Sequence, residues 1–139
     1  MTMGDNHRRG IGTALKQLDQ LLDEVAVHAV GHDREGVLFR ETNRLQPSQR
    51  ESLLREVAAM RRILAECRDQ LALPIIAEDV SSRIWGRSSA LWEVLVETTS
   101  RHLRRYGAVP EEVTRFLDPR VEELIGHLIA ITEVVSRPG

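Results

Sequence analysis

Four segments of this chain carry apolar residues at alternating steps of four and three, and this spacing restricts its fold more than any other feature. The first segment contains Ile11, Leu15, Leu18, Leu22, Val25 and Ala29. A helix has 3.6 residues per turn, so these steps place the apolar residues on one face and the charged residues on the other. No segment alternates with the period of two that a half-buried strand needs. The spacing therefore predicts an all-helical protein.

The second helix is predicted from a capping pattern followed by the same apolar spacing. Ser48 and Glu51 stand three apart, which is the spacing of a capping box at a helix start. Pro74 ends the helix, because the residue before a proline is pushed out of the helical region. The apolar face of this helix contains Leu53, Val57, Met60, Leu64, Cys67 and Leu71. On this face, Cys67 is expected to be a buried and inert thiol.

The third helix is predicted to begin near Asp79 or Ser81 and to continue to Tyr106. A glycine suits the left-handed position that closes a helix, and Gly107 follows at once.

Residues 37–45 lie between the first and second predicted helices. They fit either a short additional helix or a folded loop.

The last part of the chain is predicted to restart as helix twice. Pro110 is expected at the first position of a short helix, where a proline is tolerated. Asp118 and Pro119 then form a second capping pattern. The final apolar face contains Val121, Leu124, Leu128, Ile131 and Val135.

Four amphipathic helices must bury their apolar faces against one another. The average step of 3.5 residues favours near-parallel packing, and short turns at Pro74 and Gly107 make successive helices antiparallel neighbours. The predicted fold is an all-α, antiparallel four-helix bundle with one or two short additional helices. A length of 139 residues suits one domain over residues 1–139, in which residues 1–9 are expected to be disordered or frayed.

Composition excludes several classes of function. The formal net charge is -2, so no overall positive field attracts nucleic acid or an anionic membrane. Charged residues interrupt every apolar run well before the roughly 20 residues that a membrane span requires. The start of the chain lacks the apolar run of a signal peptide, and one cysteine cannot form an intrachain disulfide. We expect a cytoplasmic protein without nucleic-acid or membrane partners.

Four histidines are the candidate metal ligands, because helical bundles often bind metals between inward-facing side chains. His28 and His32 stand four apart, and His102 and His127 lie on the third and last predicted helices. His28 points about 95° away from the first apolar face, and the Glu-x-x-His pattern of dicarboxylate bundles is absent. The sequence therefore predicts no metal site, no cofactor and no catalytic residue. A metal- or ligand-binding enzyme or sensor that uses these histidines is the alternative.

The third helix carries two apolar stripes, about 100° apart, where the other helices carry one. The first stripe contains Ile84, Ser88, Leu91, Leu95, Thr98 and His102. The second stripe contains Trp85, Ser89, Trp92, Val96, Thr99, Leu103 and Tyr106. Both stripes can be buried inside one bundle. Alternatively, the second stripe binds a partner, because tryptophan and tyrosine are favoured at interfaces.

These observations favour a non-enzymatic protein that acts through protein–protein interaction, as an adaptor, a chaperone or a regulatory subunit. Its protein partner is not identified by any motif. Pairing the second stripe across a two-fold axis would give a homodimer, the commonest soluble oligomer. The residues expected at that interface are Trp85, Trp92, Val96, Leu103 and Tyr106.

Overall fold

The computed structural model describes residues 3–137, which form helices, turns and loops without a strand. The four main helices are α1 (Asp5–Ala29), α2 (Pro47–Leu71), α3 (Val80–Val96) and α5 (Glu111–Ser136). Between α3 and α5 lie the short α4 (Ser100–Leu103) and a 3-10 turn at Arg104–Tyr106. The predicted fold class, all-helical with four main helices and short additional ones, is confirmed.

The described residues fall into two compact units that divide between Ile76 and Ala77. In the first unit α1 packs against α2, and in the second unit α3 and α4 pack against α5. That the whole chain behaves as one domain stays a prediction.

The helices of the first unit are antiparallel. At one end, Arg8 Nε donates a hydrogen bond to the carbonyl of Leu71 over 3.2 Å. At the other end, Arg50 Nη1 donates to the carbonyl of His28 over 3.4 Å. The apolar residues buried between these ends are Leu22, Ala29 and Val57, all from the predicted apolar faces.

The start of α1 differs from the expectation of a frayed N-terminus. The helix begins at Asp5, and Arg8 Nη1 pairs with the Asp5 carboxylate over 3.1 Å. Residues 5–9 are therefore helical, and the prediction of disorder is wrong for them. The Asp5 carboxylate in the first turn stabilises the helix by interacting with the helix dipole. The apolar spacing, from which the helix was predicted, gives no information about this charge. Residues 1 and 2 lie outside the described residues.

The capping box of α2 lies two residues earlier than predicted. Gln46 is the capping residue, and its backbone N–H donates to Gln49 Oε1 over 2.8 Å. Pro47 occupies the first helical position, where its fixed φ suits a helix and its missing N–H is not needed. The predicted box of Ser48 and Glu51 is wrong, because the proline starts the helix before it.

Residues 37–45 form a folded loop rather than a helix. Glu35 and Arg40 form an isolated antiparallel bridge. Within it, the N–H of Gly36 donates to the carbonyl of Phe39 over 2.9 Å.

In the second unit, α3 begins as predicted but ends ten residues early. The Asp79 carboxylate caps its start by accepting from the N–H of Ser81 over 3.0 Å. The helix ends at Val96, so the predicted continuous helix to Tyr106 is wrong. The hydroxyl of Thr98 donates to the carbonyl of Val94 over 2.9 Å, and such local bonds compete with a regular helix.

The predicted division of the last helix is also wrong, since α5 continues through Pro119 without a break. Pro110 precedes the helix as its capping residue rather than its first residue. Asp118 does not cap a new helix. It accepts hydrogen bonds from Ser100 at the start of α4, so a contact distant in sequence occupies the expected cap.

Candidate functional site

Each of the two long helices of the second unit, α3 and α5, has one buried residue. Ser88 of the first stripe is the buried residue of α3, with 6% of its surface exposed. The buried residue of α5 is Val121, with 3% of its surface exposed. Because Ser88 is the single buried residue of α3, large apolar side chains of both stripes stay partly exposed.

The exposed fractions of the large side chains show this arrangement. In the first stripe, Ile84 is 37% exposed and Leu91 is 49% exposed. In the second stripe, Trp85 is 51% exposed and Trp92 is 43% exposed. The chain has two tryptophans, and both of them lie about half in solvent.

The predicted interface residues do not form one continuous line. Trp85, Trp92 and Val96 share α3, whereas Leu103 lies in α4 and Tyr106 in the 3-10 turn. Val96 and Leu103 are half-buried, and Tyr106 is 87% exposed. We call the partly exposed surface formed by Trp85, Ser89, Trp92 and Val96 the α3 face.

An open groove of about 410 Å³ lies beside Trp92, between α3 and α5. Its walls are formed by Ser88, Ser89, Trp92, Glu93, Leu128, Ile129 and Thr132. The hydroxyl of Thr132 donates to the carbonyl of Ile129 over 2.6 Å, so it is already bonded within its own helix. The other walls combine three apolar side chains with two serines and a glutamate, so the groove has an apolar side and a polar side.

No family model, curated protein or solved structure matches this chain. Among residues 3–137, no helix combines the length and the hydropathy of a membrane span.

The break after α3 is held by a buried serine and a carboxylate. Ser100, 3% exposed, donates from its hydroxyl to Asp118 Oδ2 over 2.6 Å and from its N–H to Oδ1 over 2.9 Å. These bonds, the hydroxyl bond first, lower the pKa of the Asp118 carboxyl below its ordinary value. Asp118 thereby fixes where α4 starts relative to α5.

His28 forms a polar clamp between the end of α1 and the following loop. Its Nδ1 lies 2.9 Å from Asp33 Oδ1, and its Nε2 lies 3.6 Å from Glu41 Oε2. The hydrogen bonds from His28 and then from Asn43 lower the pKa of Asp33. The two ring nitrogens face different carboxylates, so the arrangement ties the loop to the helix rather than converging on one point.

The other candidate histidines have separate surroundings. His32 is exposed in the turn after α1, and His127 is exposed on α5. His102 is half-buried, with Nδ1 3.0 Å from the hydroxyl of Thr99. Within the described part of the chain, no group of three or more histidine, cysteine or acidic side chains is placed to hold a metal ion.

The expectation of a buried Cys67 is wrong, because the thiol is half-buried. Among the described residues of α2, Val57 is the buried one, so the apolar face that contains Cys67 is only partly covered.

One exposed apolar element was missed in the sequence. Val37 and Leu38 are 100% and 96% exposed, and Phe39 next to them is 55% exposed. The bridge between Glu35 and Arg40 holds them at the tip of the loop. In the sequence, these three apolar residues follow one another between charged residues. Because residues 37–45 fit either a helix or a loop, the sequence did not decide whether their side chains would be exposed.

Proposed function

We propose that this chain is a non-enzymatic, cytoplasmic protein that acts by binding other proteins, as an adaptor, a chaperone or a regulatory subunit. We further propose that two copies pair through the α3 face to form a homodimer. The half-exposed state of both tryptophans is the observation that carries this proposal.

Physical chemistry supports an interface at this face. Large exposed apolar patches on soluble proteins mark interaction sites or lead to aggregation. Trp85 and Trp92 lie two helical turns apart, so their side chains form one patch along α3. Tryptophan residues dominate the binding energy of many interfaces because they bury a large, rigid surface. Covering them with a second copy removes the patch through one self-complementary contact.

The first test replaces Trp92 with glutamate. A carboxylate in the centre of the contact would lose its water without gaining a partner, so Trp92→Glu is expected to yield a folded monomer. The matched control is Val94→Glu, which adds the same charge to the same helix. Val94 is 58% exposed and lies about 160° around the helix from Trp92, so this variant should remain dimeric.

Light scattering measures the molar mass of each variant, and circular dichroism measures its helicity. A wild-type protein that is monomeric would overturn the homodimer. If Trp92→Glu stays folded at the wild-type dimer mass, the α3 face is not the contact. If it unfolds while Val94→Glu does not, Trp92 supports the fold of the second unit.

A further inference from the structure

The loop after α1 is held at its base by a histidine that faces two carboxylates. His28 Nδ1 lies 2.9 Å from Asp33 Oδ1, and Nε2 of the same ring lies 3.6 Å from Glu41 Oε2. A neutral imidazole carries one N–H and one lone pair, whereas the charged imidazolium donates from both nitrogens. The charged form of His28 therefore makes a favourable contact with both carboxylates, and the neutral form makes one with a single carboxylate.

Other charged groups surround His28 on three elements. Arg34 of the loop pairs with Glu41 through Nε over 3.3 Å, and Arg50 of α2 donates from Nη1 to the backbone carbonyl of His28 over 3.4 Å. Both contacts described for the ring itself are thus with carboxylates. His28 also stands in the last turn of α1, where the helix dipole favours a positive charge. The charged residues that share a cavity wall with His28 are Asp23, Glu24, Asp33, Arg34, Glu41 and Arg44.

Both carboxylates keep their charge over the range in which histidine titrates. The hydrogen bonds from His28 and then Asn43 lower the pKa of Asp33, and those from the backbone N–H and then the side chain of Arg34 lower the pKa of Glu41. Histidine changes its charge between about pH 5 and 8, well above the ordinary pKa values of 3.8 and 4.5 for these two carboxyls. His28 is therefore the member of this cluster that gains and loses a proton across that range.

The cluster closes the base of a loop whose backbone is bonded across. The N–H of Glu41 donates to the carbonyl of Arg34, and the N–H of Gly36 donates to the carbonyl of Phe39, each over 2.9 Å. The exposed apolar residues 37–39 lie at the tip of this loop. Because Glu41 belongs both to the cluster and to the bonded backbone, a change at its carboxylate acts on the loop directly.

We propose that His28 is a proton-dependent latch for the loop of residues 33–41, which holds Asp33 and Glu41 when it is charged and releases Glu41 when it is neutral. The contacts set the sign. The charged form makes both of them, so closure of the loop is favoured in mild acid and weakens as the pH rises through the range of histidine. The latch lies in the first unit and the α3 face in the second, so this proposal and the homodimer can fail separately.

Hydrogen exchange of the Gly36 and Glu41 amides, measured by NMR, tests the latch. Dividing the exchange rate of an unstructured chain at the same pH by the observed rate gives a protection factor that is free of the intrinsic pH dependence of exchange. A partly exposed ion pair stabilises weakly, so we expect the protection factors of the wild type to fall about threefold between about pH 5.5 and about pH 7.5. Protection that is unchanged or rises with pH would overturn the proposal.

Two matched variants assign this change to one histidine. His28→Gln keeps a side chain that can donate to Asp33 but cannot gain a charge, so its protection factors should not depend on pH. His32→Gln removes the exposed histidine of the following turn and should keep the threefold change. If the two variants behave alike, His28 is not the latch.

Glu41→Gln tests the second contact, and it also decides the case in which His28→Gln loses all protection. The amide oxygen of the new side chain can still accept from the N–H of Arg34, but it carries no charge to attract an imidazolium. The fall in protection between the two pH values should therefore be at most half that of the wild type, while circular dichroism shows unchanged helicity. An undiminished threefold fall would show that Glu41 takes no part, and the two-carboxylate latch would be wrong.

Discussion

At the residue scale, the end of α2 contains an unfavourable backbone conformation. Ala72 adopts a φ of 51° in the left-handed region, and among the described residues it is the single non-glycine residue with a positive φ. Its N–H donates to the carbonyl of Arg68, so the conformation closes the helix. An L-residue with a Cβ is crowded in this region, whereas glycine is not.

Ala72→Gly is therefore expected to raise the free energy of unfolding, by about 0.5–1 kcal/mol, because the relief of crowding exceeds the entropy gained by the unfolded chain. The control is Ala58→Gly in the exposed interior of α2, where the same change should lower it by about 1 kcal/mol. Urea denaturation measures both. Loss of stability in the two variants alike would contradict the left-handed assignment of Ala72.

At the element scale, the apolar spacing located the four main helices but not the break after α3. The first stripe runs on through Thr98 and His102, so the pattern favours one long helix. The break depends on threonine hydroxyls that bond locally and on a carboxylate 18 residues away. The packing of α5 against α3 is likewise a tertiary contact, which is why the sequence left the exposure of both tryptophans open.

The bond between Ser100 and Asp118 gives this element a dependence on pH. The folded pKa of Asp118 is lowered, so its contribution to stability is complete above the unfolded value of about 3.9 and is lost as the pH falls through the folded value. Asp118→Asn is expected to be less stable than the wild type at pH 7 and to approach it in strong acid.

Urea denaturation across this pH range measures the difference, and Ser100→Ala completes a double-mutant cycle that isolates the pair. If the gap between the wild type and Asp118→Asn does not change with pH, the charge of Asp118 makes no contribution to the contact.

At the scale of the whole molecule, burial within one chain is small. Among the described residues, Leu22, Ala29, Val57 and Val121 are the buried apolar residues, and no large side chain is fully buried. Ordering the backbone opposes folding by about 1–2 kcal/mol per residue, so a helical protein needs wide apolar contacts to offset it. Association through the α3 face would supply such contacts, and folding and dimerisation would then be linked.

Linked folding and dimerisation make Tm depend on protein concentration, because dilution favours the separated, less stable chains. For a dimer of chains this long, calorimetry of the wild type should show one transition whose Tm rises by about 2 °C for each tenfold increase in concentration. Trp92→Glu removes the association, so its transition should lie lower and stay at the same Tm at all concentrations.

A wild-type Tm that does not change with concentration would show that each chain is stable without a partner. Two separate transitions would instead show that the units dividing at Ile76 and Ala77 unfold independently, against the single domain predicted from chain length.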